Sequence, residues 1–427
     1  MKKSMEAIAL VDGNNFYASC EQSINPSLRG KPLVVLSNND GCIIARSSEA
    51  RALRIKMGVP YFKVKEKLKK EKVVVLSSNY SLYGDMSRRL MNLLTKYCEQ
   101  IEIYSIDEAF ISINRPHDNN LYPWAREIRA SIYQKLGINI TVGIGSNKLR
   151  SKLANRLAKK INTSSGIFDL EKINNEDEYL RKIKIENIWG IGYQTSKWLQ
   201  SKGIKNAKEL KEMNQYEIKK KLGIVGERIQ LELKGYKCLP IEKVKKSKKE
   251  IRVSRSFGKP ITKLEDLKQA LSIYTITAAE KMRLQNLQAS TVTIFTRTSH
   301  YSNSSYQKSA HKILIESTNN TIYLLKIVLE LSKDIYHPDY KLAKAGVIMQ
   351  DLTPYNYSQK SIINYPLKSK SERERDLIKT IDFINKRFKS EKITWGITVK
   401  KGSWKMNRNL LSGISTTNIS RIPTIII

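Results

Sequence analysis

Two adjacent carboxylates, Asp107 and Glu108, interrupt an apolar, β-branched stretch running from Ile101 to Ile113. Isoleucines recur at 101 and 103 before them and at 111 and 113 after them, the period of two that a half-buried strand requires. The pair therefore marks the tip of a hairpin. Neighbouring side chains in mid-strand point to opposite faces, so these two acids converge only near a strand end or turn. Unpaired anions that close repel one another. A hard divalent cation held by oxygen ligands removes the repulsion, and Mg²⁺ takes one or two carboxylates together with the phosphates of a substrate. A lone Asp-Glu pair is more often a solvated turn, but a third acid weighs against that reading. Ala7-Ile8-Ala9-Leu10-Val11 has the pattern of a strand buried on both faces, and Asp12 follows at its C-terminal end. Ligand sites in sheets flanked by helices gather at strand ends, so Asp12 beside Asp107 and Glu108 would form a three-carboxylate cluster suited to two metal ions.

The elements that must position this cluster belong to a long, basic chain. Its 427 residues are too many for one core and imply roughly three or four domains. Seventy-six Lys and Arg against forty Asp and Glu give a formal charge of +36, the balance of a protein that meets a polyanion. Nucleic acid or an anionic membrane surface satisfies it. No apolar run approaches the ~20 residues of a spanning helix, and the run Ala7 to Val11 is too short for a secretory segment, so a cytoplasmic protein is expected. Four dispersed cysteines form no C-x-x-C and four scattered histidines have no zinc spacing, which excludes a disulfide scaffold and a zinc site.

In chain order, Asp12 leads into a helix beginning near Phe16 and Tyr17, which taken alone are core aromatics. Strands are expected at Leu33 to Leu36 and Cys42 to Arg46, then a helix capped near Ser47. From Val73 a strand precedes a helix with apolar positions 82, 86, 90, 93, 94 and 97. Further on come a helix over Tyr122 to Leu136, a strand over Ile138 to Gly145, and a helix carrying Lys148, Arg150, Lys152, Arg156, Lys159 and Lys160. Glu186 to Ile204 reads as two short helices around Gly190-Ile191-Gly192, a helix-hairpin-helix whose glycines let backbone N–H groups approach a phosphate. Lys243 to Lys249 is a basic tether, with Lys245 and Lys246 placed to track a DNA backbone. After it, strand 252–257, helix 264–284, strands 290–298 and 308–317, helix 321–336 and strand 343–351 follow in the order β-α-β-β-α-β. The expected class is α+β, multidomain.

The segments DGNNFYASCE, GKPLVVLSNNDGCIIARSSEARALRIKMGVP, SSNYSLYGDMSRRL, EIYSIDEAF, TVGIGSNKLRSKLAN and IWGIG resemble the Y-family translesion DNA polymerases, in order and along nearly the whole chain. The likeness is strongest to the UmuC-like branch, the catalytic subunits of bacterial DNA polymerase V. The resemblance implies a right-hand polymerase: palm at 1–30 and 73–175, small fingers at 31–72, helix-hairpin-helix thumb at 176–240, basic linker at 241–250, βαββαβ little finger at 251–354 and a C-terminal extension at 355–427. It implies two Mg²⁺ ions held by Asp12, Asp107, Glu108 and the carbonyl of Gly13, acting on dNTP and primer-template DNA in error-prone synthesis past damaged bases within the SOS response. Phe16 and Tyr17 then belong to the substrate site, Tyr17 as a bulky gate against ribose; Arg51 and Lys159 match triphosphate-gripping positions, and Ser254, Arg255, Thr296 and Arg297 phosphate contacts. Arg54 departs from the pattern, since relatives carry Gly there. Trp395, Trp404 and Leu410-Leu411-Ser412 resemble an extension that docks accessory subunits, a UmuD-like protein and a RecA filament; Gln359 to Ile363 is at best a degraded sliding-clamp motif.

Two other readings fit the carboxylates. A palm-like sheet with paired metal carboxylates also serves nucleotide cyclases, and a catalytically inactive DNA-binding scaffold would share the charge. Neither is expected: a cyclase has no use for a thumb, a basic tether and +36 charge, and a scaffold has no reason to keep three carboxylates.

Overall fold

The computed structural model describes residues 6–116, 119–161, 165–242, 247–299, 301–302, 304–355, 368–388, 392–398, 402, 404–413 and 416. The chain divides into two compact units. The first comprises Met1–Ser37, Gly41–Lys245 and Leu410–Ile427; the second comprises Asn38–Asp40 and Lys246–Asn409. The division after Lys245 falls within the stretch read as a basic linker, and the C-terminal extension is shared between the units.

The first unit is built on β1 (Glu6–Gly13), α1 (Phe16–Ile24), β2 (Leu33–Leu36), β3 (Ile43–Arg46), α2 (Ser48–Ala52), α3 (Tyr61–Lys70), β4 (Val74–Ser77), α4 (Tyr80–Leu94), β5 (Gln100–Ile103), β6 (Glu108–Asn114), α5 (Tyr122–Leu136), β7 (Ile140–Gly145), α6 (Lys148–Lys160), β8 (Ile167–Asp169), α7 (Glu176–Arg181), α8 (Tyr193–Ser201), α9 (Ala207–Glu212) and α10 (Gln215–Leu233). Five strands form one sheet in the order β5-β6-β1-β7-β8. The continuous apolar run of β1 puts it at the centre, buried from Ala7 onward and antiparallel to both β6 and β7. Helices α1, α4 and α5 cover one face with a core that includes Phe16, Leu82, Met86, Leu90 and Ile128. Helix α5 starts with Pro123 in its first turn and stops at Gly137, whose φ of +64° closes the C-terminus. Strands β3, β2 and β4 form a separate small sheet with its own core of Val34, Leu36, Ile43 and Leu68.

Helices α7 to α10 and the inner face of α6 share a third core, including Leu149, Leu153, Leu180, Ile188 and Leu210. The expected helix before Gly190 is only a 3₁₀ turn, Ile185–Asn187, because the few residues before the glycine are too few for two α-helical turns. Gly190 adopts φ +89°, and Gly192 caps α8.

The second unit contains β9 (Glu250–Ile261), α11 (Leu264–Arg283), β10 (Leu287–Thr298), β11 (Gln307–Thr318), α12 (Thr321–Ile335), β12 (Leu342–Pro354) and α13 (Lys368–Arg387). Its sheet runs β11-β10-β12-β9, antiparallel throughout, with α11 and α12 packed on one face. Trp404 is buried in that core and meets Phe257 edge-on at 5.9 Å. Gln359 to Ile363 lie outside the described residues.

Candidate active site

The carboxylates meet where β1 and β6 end together. Asp12 is the cross-strand partner of Glu108, and Asp107 occupies the turn before β6. Ser105 and Tyr104 close that turn by donating their amides to the Glu108 carbonyl at 3.1 Å, and the Ser105 hydroxyl donates to Asp107 Oδ1 at 2.6 Å. Gly13 binds the same turn, its N–H donating to the Asp107 carbonyl at 2.9 Å. A side chain at Gly13 would strike the Phe16 ring, so glycine leaves room for the start of α1 to pack there.

Each acid has its own partner. Lys159 Nζ lies 2.6 Å from Asp12 Oδ2, and Lys152 Nζ lies 2.9 Å from Glu108 Oε2. Both lysines project from α6, seven residues and two turns apart. Burial pushes the Asp12 carboxyl up to about 6 against the pull of Lys159, and the charges of Glu108 and Asp107 raise it further. Among the described residues no three of His, Cys, Asp and Glu are grouped to hold a metal ion, so the expected three-carboxylate cluster is not drawn into a single cage. The amines of Lys159 and Lys152 neutralise two of the acids and hold them in ion pairs. The donor chemistry nevertheless suits a hard cation: three carboxylates feel one another's charge at a strand end.

Lys152 was visible in the sequence only as one of six cations on a helix. Its amine also lies 4.4 Å from the Tyr104 ring centre and 5.5 Å from that of Trp189, while Trp189 Nε1 donates to the Tyr104 hydroxyl at 3.0 Å. The aromatic faces favour the charged amine.

Tyr17 is half-buried at the start of α1. Its ring stacks on Tyr83 with centres 4.3 Å apart and planes 13° from parallel, and Tyr80 meets it edge-on at 6.3 Å. Burial, then the charges of Tyr80 and Asp107, push its hydroxyl above the ordinary tyrosine range. Phe16 instead points into the core and is 3% exposed, because consecutive helical residues face about 100° apart. Arg51, exposed on α2, donates to Asn15 Oδ1 at 2.8 Å, which ties it to the loop after Asp12 and Gly13. Tyr80 and Tyr83 were missed as partners of Tyr17. Their spacing of three on one helix was the available signal.

Of the expected duplex contacts, Gly190 packs against Ile229, which a side chain there would strike, while a side chain added at Gly192 would meet nothing. A second glycine turn escaped notice: Gly223 kinks α10 at φ +64°, leaving Ile224 and Val225 exposed. Lys245 and Lys246 lie outside the described residues. On the second unit's sheet, Arg297 stands opposite Lys344 on β12, and Lys344 is held below the ordinary lysine range by burial and by the charges of Arg297 and Arg252. Those three form a basic patch. Arg255 does not join it, for its cross-strand partner Ala345 belongs to the core face and its charge reaches Tyr274 of α11. Thr296 is fully buried, with its hydroxyl donating to the Lys344 carbonyl, so it is unsuited to touch a phosphate.

Comparison with known proteins adds identity to this geometry. Residues 11–156 match the impB/mucB/samB family, residues 248–362 match that family's C-terminal domain, and residues 375–425 match a domain of unknown function. The chain is 37% identical to Protein UmuC of Salmonella typhimurium over 418 residues, spanning 96% of this chain and 98% of the relative. It is 35% identical to Protein SamB of Salmonella typhimurium over 421 residues, 97% of this chain and 98% of the relative. DNA polymerase IV of Bacillus velezensis matches at 33% over 229 residues, 53% of this chain and 54% of that one. Among solved structures, a Y-family DNA polymerase chimera shares the fold with a TM-score of 0.65 at 24% identity, covering 81% of this chain and 98% of its own.

Proposed function

This chain belongs to the impB/mucB/samB family of Y-family translesion DNA polymerases, and on that premise we propose that its nucleotidyl transfer is carried by Asp12, Asp107 and Glu108. The observation that supports this most is the pairing of Asp12 with Glu108 across β1 and β6, with Asp107 in the adjoining turn. Family membership implies a divalent metal; we assign two Mg²⁺ ions to these acids and the Gly13 carbonyl. When bound, such ions supply an activated primer 3′-hydroxyl and a stabilised pyrophosphate. The protein's own part is positioning. Lys159 and Lys152 neutralise Asp12 and Glu108, and with a divalent cation on those acids their long stems would let the amines meet phosphate oxygens. We assign the triphosphate to Arg51, which donates to Asn15, and the sugar to Tyr17, which stacks on Tyr83.

Primer-template DNA and dNTP are the partners the family implies. We assign grip on the duplex to the Gly190–Gly192 turn, the linker lysines Lys245 and Lys246, and the patch of Arg252, Arg297 and Lys344. We place the enzyme in the cytoplasm, acting in the SOS response. No described helix is long and apolar enough to cross a membrane. For the C-terminal extension we propose docking of a UmuD-like subunit and a RecA filament; exposed Leu377, Phe383 and Phe388 support this. A sliding-clamp contact through Gln359 to Ile363 rests on sequence alone. Primer extension with each dNTP on undamaged and abasic templates tests the whole reading. Extension past the abasic site supports it, whereas a cyclase or an inactive scaffold would extend neither template.

A further inference from the structure

Residues Leu410 to Ser412 of the C-terminal extension belong to the first unit. The Ser77 amide donates to the Leu410 carbonyl at 2.8 Å, and the Leu410 amide donates to Ser77 Oγ at 3.0 Å. Leu411 pairs with Ser77 in a parallel bridge. The tail thereby adds to β4, the edge strand of the small sheet, and blunts an edge that would otherwise stay open there.

The next residue makes the functional link. Ser412 Oγ donates to Glu21 Oε1 at 3.1 Å and accepts from Asn79 Nδ2 at 3.2 Å. Glu21 is 1% exposed, on the α1 face that looks into the core. A carboxylate so placed is costly unless hydrogen-bonded, and its second donor is the Tyr83 hydroxyl at 2.8 Å. Tyr83 is fully buried, and its ring is the one on which Tyr17 stacks. Burial pushes Glu21 above the ordinary carboxylate range, with the Tyr83 and Ser412 hydroxyls pulling it back. Loss of Ser412 therefore frees the acid from one of two donors, and Tyr83 from a fixed partner.

We propose that Leu410–Ser412 is a positioning strap for the sugar gate: Ser412 holds Glu21, Glu21 holds Tyr83, and Tyr83 fixes the ring of Tyr17 beneath the incoming nucleotide. The inference deepens the reading of Tyr17 as the residue that excludes ribose and rests on it. None of the three residues touches substrate. Their effect passes through the angle and rigidity of one ring, so it falls on the choice between sugars and not on the chemical step. It also assigns a task to the end of an extension whose family model carries no function.

The test is single-turnover incorporation of dCTP and CTP opposite template G by the full-length protein. It compares Ser412→Ala, Ser412→Thr, Glu21→Gln and Tyr17→Ala with wild type. Removing one side-chain hydrogen bond to the Glu21 carboxyl is expected to change such a ratio by about five- to tenfold. Ser412→Ala should keep its dCTP rate within about threefold and lose five- to tenfold in discrimination, chiefly through a lower KM for CTP. Ser412→Thr, which keeps the hydroxyl, should restore it. Adding Ser412→Ala to Tyr17→Ala should change nothing further, because the strap acts only through that ring. A wild-type sugar ratio in Ser412→Ala, or equal loss with both nucleotides, overturns the strap while leaving the gate standing if Tyr17→Ala has relaxed the ratio. An unchanged ratio in Tyr17→Ala overturns both. Should Glu21→Gln fail to fold, the Ala and Thr variants at the half-buried Ser412 still decide.

Discussion

Lys159 Nζ sits 2.6 Å from Asp12 Oδ2, yet the Asp12 carboxyl is pushed up to about 6, because burial outweighs the attraction. The folded protein therefore binds this proton more tightly than the unfolded chain, whose aspartates titrate near about 3.9. Stability falls as pH rises through that window, and the full cost of the buried charge is present above pH 6. In metal-free protein, Asp12→Asn is expected to raise unfolding stability at pH 7.5 by up to roughly 3 kcal/mol, with the gain vanishing below about pH 4. Denaturant unfolding in a chelator at the two pH values checks it; destabilisation at pH 7.5 would mean that the ion pair is worth more than its burial costs.

Asp107→Ala is expected to abolish primer extension, by at least ~10³, while duplex affinity stays within a few-fold. The proposed role of the acid lies in the phosphoryl step, whereas grip on the duplex is assigned to lysines and arginines. Near wild-type extension would remove the acidic turn from the chemistry.

How much of this could be read beforehand depended on the range of the interaction. The buried run Ala7 to Val11 and the alternating isoleucines around Asp107 are local patterns, and they gave β1, β6 and the turn between β5 and β6 in place. The β-α-β-β-α-β order was legible for the same reason. Thr296 went astray although period two was available, since it alternates with Val292 and Ile294 on the core face; Arg255 shares the face of Ile251 and Val253 by register, yet its side chain is exposed. The lysines on Asp12 and Glu108 were on the page as a charged helix, but nothing local says which cation reaches which acid. Contacts such as Ser412 with Glu21 join residues 391 positions apart, and no periodicity encodes them.

Salt dependence separates the two faces of the second unit's sheet. Log affinity for duplex should fall linearly with log salt, by about 0.9 per phosphate neutralised. Arg297→Ala and Arg252→Ala should each flatten the slope by about that amount, and Arg255→Ala, on the helix-covered face, should leave it unchanged. Binding titrations from 50 to 300 mM salt, about the usual range, measure all three. A flattened slope for Arg255→Ala alone would reverse the assignment of faces.

Arg54 adopts φ +57° at the end of α2, a left-handed conformation that a side chain strains and glycine does not. Arg54→Gly is accordingly expected to stabilise the protein by about 0.5–1 kcal/mol, the strain relieved exceeding the extra entropy of the unfolded glycine. Thermal unfolding reports it directly. A lower midpoint would show that the Arg54 side chain makes contacts worth more than the strain.

Tyr17 decides whether the acidic turn and the aromatic cluster are one site. Its ring stacks on Tyr83 and its hydroxyl feels the charge of Asp107, so it lies between the core of α4 and the carboxylates. In the proposed role, a ring held there would leave no room for a 2′-hydroxyl, the group that marks a ribonucleotide. If the ring served packing alone, Tyr17→Ala would lower stability by a few kcal/mol and harm both sugars alike. As a gate, it behaves differently: a clash is a device against the wrong substrate, and removing it leaves the right one untouched. Tyr17→Ala is expected to keep much of its dNTP extension and gain rNTP incorporation by a factor on the order of 10², the equivalent of a relieved clash of ~3 kcal/mol. Single-turnover rates with dCTP and CTP opposite G measure that factor, and an unchanged sugar ratio would return Tyr17 to the core beside Phe16.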